Sequence, residues 1–184
     1  NYKVALLSRG YGRKTRGFRL ANEHDTAQTI GDEPMQIHCR FPNLPVAVCA
    51  DRVKGVKTLQ HLFPDLQCII LDDAYQHRSL HCGFYILLTP YDCLYTNDHL
   101  LPWGRLRDLP NQSHRANVIV VTKCPTNMKP IDRRIVSNSL HLASYQHLFY
   151  SSIQYTSLSI STVPLVVTGI ANPQPLLQHI QQQY

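Results

Sequence analysis

The run Cys68-Ile69-Ile70-Leu71 ends abruptly in Asp72 and Asp73, and no other stretch constrains the fold as strongly. Four apolar residues are too few for a helix and suit a strand covered on both faces. A buried strand that delivers carboxylates at its end belongs in an open α/β sheet, because ligands bind there outside the carboxyl ends of the strands. Comparable runs recur, and strands are predicted over 3–8, 45–49, 68–72, 84–89, 117–123, 148–153 and 164–168. Helical spacing lies between them. Val53, Val56, Leu59, Leu62 and Phe63 predict a helix over 51–63 that Pro64 stops. Ile131, Ile135, Leu140 and Leu142 predict a second over 131–142, and 175–179 starts a last one after the Asn172-Pro173 turn. The Gln-rich stretch 178–184 reads as a polar tail, frayed or cut short. Strand and helix in alternation imply a mostly parallel sheet with right-handed crossovers.

A chain of 184 residues with 43% hydrophobic content can bury a core and is read as one domain. The net charge of +6 favours an anionic partner: nucleotide, phospholipid-like substrate, membrane surface or nucleic acid. The six cysteines form no C-x-x-C pair and are read as reduced, which points to the cytosol. No apolar run approaches the roughly 18 residues of a membrane span. The chain opens at Asn1 and enters a strand almost at once, so it reads as an excerpt of a longer protein.

Several motifs could carry chemistry. Ser8-Arg9-Gly10-Tyr11-Gly12-Arg13-Lys14-Thr15-Arg16-Gly17 follows the first strand, and its glycines and cations suit either an anion cradle or a solvated basic loop. One Tyr among the basic residues is a thin stacking platform, so nucleic acid is the less favoured partner. Gly31-Asp32-Glu33-Pro34 supplies either a proton acceptor for a substrate hydroxyl or an Asp that caps a helix. Asp72 and Asp73 could hold Mg²⁺, as the strand-end Asp of a phosphate-binding enzyme does, with Gln76 and His77 setting geometry or touching substrate. The companion glycine loop, G-x-x-x-x-G-K-[ST], does not occur in this sequence. His77 and His81 have the spacing of a zinc pair but lack the H-E-x-x-H context. In Leu101-Pro102-Trp103-Gly104-Arg105-Leu106-Arg107-Asp108, two arginines could clamp phosphates.

In this order the motifs S-R-G-Y-G (8–12), G-D-E-P (31–34), D-D-A-Y-Q-H (72–77), L-P-W-G-R-L-R (101–107), V-T-K (121–123) and G-I-A-N-P (169–173) resemble the tetraacyldisaccharide 4'-kinases, the lipid A kinases of Gram-negative bacteria. The chain departs from the more usual D-D-G-F-Q-H at Ala74 and Tyr75. It has Trp103 where a small residue is usual, and Asp108 where many members have Glu.

The resemblance implies a P-loop NTPase-like α/β fold with helices on both faces of the sheet. It also implies transfer of the γ-phosphoryl group of ATP to the 4'-hydroxyl of a tetraacyldisaccharide 1-phosphate, at the cytoplasmic face of the inner membrane. Asp32 matches the catalytic base and Glu33 its acidic neighbour. Asp72 and Asp73 match the Mg²⁺-ATP acids, Gln76 and His77 the rest of that motif, and Arg105 and Arg107 the basic loop near the phosphates. Ser8, Arg9 and Gly10 match the anion-meeting loop. In the family, the glycine-rich loop with its strand and a membrane helix precede this region, and a His that pairs with the base follows it. The expectation is therefore a partial kinase domain, cut at both ends and inactive alone. The competing reading is a non-catalytic α/β module that binds an anionic lipid or nucleic acid.

Overall fold

A computed structural model describes residues 2–155, 165–170 and 172–183. The elements in chain order are β1 (Val4–Ser8), β2 (Arg19–Leu20), α1 (Ala27–Ile30), α2 (Asp32–Arg40), β3 (Val46–Val48), α3 (Arg52–Leu62), β4 (Cys68–Leu71) and β5 (Ile86–Pro90). Two 3₁₀ turns follow (Tyr95–Asn97 and Pro110–Arg115), then β6 (Val118–Thr122), α4 (Pro130–Leu140), β7 (His147–Tyr150) and α5 (Gln174–Gln183). The α/β class and the mostly parallel pairing are as predicted.

The strands form two sheets, ordered β2-β3-β1-β4 and β5-β6-β7. β1 pairs parallel with both β3 and β4, with Leu7 opposite Ala47 on one side and Leu71 on the other. It is central and buried on both faces, which explains its unbroken apolar run. β6 holds the same position in the second sheet, parallel to β5 and β7.

Each sheet carries its own core. Ala5, Leu7, Ala47, Cys49 and Leu59 close the first. Ile119, Val121, Val136 and Leu140, with Leu94 and Tyr95, close the second. α3 lies very close to β1 and β3: a Cβ added at Gly55 would stand 2.8 Å from Leu7 Cδ2 and 3.1 Å from Cys49 Cβ. Its N-terminus is fixed by Asp51, whose carboxylate accepts from the Lys54 N–H at 3.0 Å.

Some expectations are corrected. The single sheet anticipated from the alternation of strand and helix is two sheets. Residues 165–168 are not a strand, and Leu165 and Val167 are 92% and 89% exposed, so this apolar run pairs with neither sheet. Pro164, the first residue of the predicted strand, lies outside the described residues. The Gln-rich tail is not frayed but continues α5 to Gln183, because Gln is a good helix former and no breaker intervenes. The G-D-E-P segment does open a helix, but the N-cap is Gly31 and not Asp32, and Asp32 and Glu33 form the first turn of α2. β2, which periodicity does not reveal, is antiparallel to β3. It is fastened by buried Asp25, which accepts from Arg19 Nε and the Thr29 hydroxyl at 2.6 Å each and from the Asn22 N–H at 3.1 Å. All six cysteines are unpaired.

Candidate active site

Because β1, β3 and β4 run parallel, Ser8 and Asp72 emerge on the same edge of the first sheet. The Ser8 hydroxyl, nearly buried, donates to Asp72 Oδ2 at 3.1 Å. The chain then turns through Gly10, whose φ of +69° suits glycine. A Cβ there would sit 2.7 Å from the Ile30 carbonyl oxygen, and one at Gly31 (φ +97°) would sit 3.1 Å from Gly10 Cα. Two glycines in contact thus seat the loop after β1 against the start of α2. Asp32 and Glu33, both exposed in the first turn of that helix, stand beside the loop that carries Ser8, Arg9 and Gly10.

Asp73 follows Asp72 with a left-handed backbone (φ +44°), a conformation uncommon outside glycine. The guanidinium of Arg107 holds it with both terminal nitrogens: Nη1 donates to Oδ2 at 2.9 Å and Nη2 to Oδ1. Arg107's hydrogen bonds keep the Asp73 carboxyl below its ordinary range, and the same pairing raises Arg107. Arg105 diverges from this pair, its Nε lying 3.4 Å from Asp98 Oδ2. Gln76 lines a small cavity of about 70 Å³ together with Tyr75 and Arg107. His77 Nε2 meets the Ser79 hydroxyl at 3.0 Å. The structure therefore joins Ser8, Asp72, Asp73 and Arg107 in one contact chain, brings Asp32 and Glu33 to it through the glycine pair, and turns Arg105 elsewhere.

Two arginines that the motif reading passed over complete the arrangement. Arg52, at the first position of α3, is 3% exposed and donates to the Cys49 carbonyl at 2.6 Å, while its Nε has no partner. Burial lowers its pKa, and Arg9, Asp72 and Asp73 are near enough to act on its charge. Arg115 ties the loop after β4 to the Arg107 loop. Its Nη2 donates to the Tyr75 carbonyl at 2.9 Å and lies 3.4 Å from Asp108, and its guanidinium stacks 4.4 Å over the Tyr75 ring. Burial pushes the Tyr75 phenol up to about 12, and its hydroxyl donates to the Gln112 carbonyl at 2.7 Å. A basic residue directly after a strand and its helix cap was the available signal for Arg52. Nothing in the spacing marks Arg115.

The donor set suits a hard cation. Among the described residues there is no cluster of three or more His, Cys, Asp or Glu side chains. Mg²⁺ does not need one, since it is usually held by one or two carboxylates plus phosphates and water. Asp72 is the freer carboxylate, because both oxygens of Asp73 are engaged by Arg107. A larger hollow of about 610 Å³, lined by Tyr2, Phe41, Pro45 and Phe63 among others, lies at the opposite edge of β1 and β3, away from these acids.

Residues 1–184 match the family described as tetraacyldisaccharide-1-P 4'-kinase (LpxK). The chain belongs to that family. The tetraacyldisaccharide 4'-kinase of Bacteroides thetaiotaomicron is 42% identical, covering 98% of this chain and 54% of its own length. That of Parabacteroides distasonis is 44% identical with the same coverage, and that of Flavobacterium johnsoniae 41% identical over 99% of this chain and 57% of its own. The crystal structure of LpxK from Aquifex aeolicus in complex with ATP is similar with a TM-score of 0.57 and 34% identity, covering 65% of this chain and 38% of that one. The chain thus spans about half the length of the curated 4'-kinases it matches. With this relationship, the P-loop NTPase-like reading of the α/β fold stands.

Proposed function

We propose that this chain forms part of an ATP-dependent kinase that phosphorylates the 4'-hydroxyl of a tetraacyldisaccharide 1-phosphate in lipid A biosynthesis. The observation that carries the reading is the contact chain from Ser8 through Asp72 and Asp73 to Arg107, set on the carboxyl edge of the first sheet in a member of this family. Phosphoryl transfer asks little covalent chemistry of the protein, so positioning and charge stabilisation dominate. Asp32 accepts the proton of the sugar hydroxyl, with Glu33 beside it. Asp72 and Asp73 are the carboxylates that would hold Mg²⁺, which would supply positive charge against the phosphates of ATP, the phosphoryl donor. Arg107, already oriented by Asp73, offsets charge on the phosphates. Arg105, the other cation of the motif, faces Asp98 instead of this pair. Ser8, Arg9 and Gly10 line the approach of the substrate phosphate, and Gln76 and His77 position the loop after β4. An acylated substrate and an ATP donor support a reaction at the cytoplasmic face of the inner membrane. Among the described residues, no helix is long and apolar enough to cross a membrane.

The test is steady-state kinetics on the full-length protein. Asp32→Asn is expected to lower kcat by about 10²–10⁴-fold, the usual worth of a general base, with little change in KM for ATP. Asp72→Asn should instead raise the Mg²⁺ concentration needed for half-maximal rate. A wild-type kcat in Asp32→Asn would remove the base from the mechanism. Absence of ATP-dependent phosphorylation in the wild type would remove the reaction itself.

A further inference from the structure

The loop that leads into Arg107 is built as a rigid projection. The Leu101 N–H donates to the Leu106 carbonyl at 3.0 Å, Leu106 N–H to His99 at 3.0 Å and Gly104 N–H to Leu100 at 3.1 Å. Asp98 staples its base, accepting from the N–H groups of His99 at 2.8 Å and Arg105 at 3.2 Å. The turn closes so tightly that a Cβ at Gly104 would meet the His99 carbonyl oxygen at 2.2 Å. What this frame holds out is apolar: Trp103 is 88% exposed, Leu101 62% and Leu109 51%. Trp103 is the chain's sole tryptophan.

A single exposed apolar residue needs no explanation, but this group has an ordered surround. The side chains of Arg105 and Arg78 are 69% and 60% exposed, while their partners Asp98 and Asp108 are only 14% and 19% exposed. The acids lie beneath and the cations outside, so the rim presents positive charge. An indole and leucines with two outward arginines beside them match the interfacial zone of an anionic bilayer: Trp settles at headgroup level and Arg meets the lipid phosphates.

We propose that the loop 99–109 is a membrane-interface wedge that docks the mouth of the active site on an anionic lipid surface. The inference rests on the kinase reading for its purpose and on the loop itself for its chemistry. Arg107, one residue beyond the Leu100–Leu106 bridge, grips Asp73, so seating the tip in the headgroups sets the site at the depth of a substrate whose acyl chains remain in the bilayer.

The experiment compares full-length protein and its Trp103→Phe variant by fluorescence, with vesicles of phosphatidylglycerol mixed into phosphatidylcholine and with phosphatidylcholine alone. The wild-type-minus-variant spectrum isolates Trp103. It is expected to move to shorter wavelength on the anionic vesicles and to be quenched by lipids brominated near the headgroup. An unchanged Trp103 spectrum on vesicles that carry the protein down in sedimentation overturns the wedge, and an equal response to both vesicle types overturns the role of the arginine rim. A Leu101→Ser, Trp103→Ser double variant should raise KM for vesicle-borne disaccharide roughly tenfold, the low end of what burying a large apolar side chain is worth, and leave kcat on detergent-dispersed substrate unchanged. Loss of kcat in detergent would assign the loop to the chemistry and overturn the proposal. Absence of turnover in the wild type would count against the kinase reading alone, because the fluorescence result stands without it.

Discussion

Asp73 takes a left-handed backbone with a carboxylate held by both terminal nitrogens of Arg107, a strained residue fixed by a charged fork. The pairing depresses the Asp73 pKa, which sets the sign of its pH dependence. The folded form binds that proton less readily than the unfolded chain. The contribution is therefore fully present above the unfolded carboxylate value of about 3.9 and is lost as pH falls through the lower folded value. Carbon-detected NMR titration of the full-length protein should find Asp73 below the ordinary Asp range, and Arg107→Gln should return it toward that range. An Asp73 that titrates normally in the wild type would show the pair to be open in solution. The two acids were legible in the sequence because a short apolar run ending in carboxylates has few other uses. The division of labour between Arg105 and Arg107 was not, since their identical chemistry two residues apart conceals that one faces Asp98 and the other Asp73. Arg52 and Arg115 were harder still, because burial of an arginine is a property of its neighbours.

Elements that bury a periodic face were found, and those that do not were missed. α3 and α4 have apolar spacing: α3 is one residue shorter at each end than predicted, and α4 begins one residue earlier and ends two earlier. β2 spans two residues and α1 four, too short for either period to register, while 165–168 had the composition of a strand and no partner. Gly55 in α3 shows how packing overrides propensity. Ala would favour the helix by about 1 kcal/mol, yet its methyl would lie within 3 Å of both Leu7 methyl carbons, and Leu7 is fully buried. Overpacking typically costs about 1–3 kcal/mol, so Gly55→Ala is expected to be neutral to destabilising by about 2 kcal/mol. It should also displace the start of α3, where Arg52 sits among the charges of the site. Chemical denaturation gives the first quantity and KM for ATP the second. A clearly stabilised Gly55→Ala would mean that α3 stands further from β1 than the structure has it.

At the scale of the whole molecule, the anticipated single sheet is two sheets with separate cores, and each leaves apolar surface uncovered. In the second sheet, α4 covers Ile119 and Val121, while Ile86 and Leu88 of β5 and Phe149 of β7 are 56%, 63% and 56% exposed. Ile70 of β4, an end strand of the first sheet, is 50% exposed. Sequence could not reveal this, because an apolar strand reads the same whether or not something covers it. Apolar faces beside open strand edges are templates for pairing with another chain. The 184-residue chain expressed by itself is therefore expected to self-associate, giving a concentration-dependent mass by light scattering. Leu88→Lys with Phe149→Lys should shift it toward monomer without altering the first sheet, since lysine on an exposed strand face opposes stacking and remains solvated. If the unmodified chain is monomeric at all concentrations and melts in one cooperative transition, these faces are covered in solution by a rearrangement of the two sheets, and the separate cores described above would have to be redrawn as one.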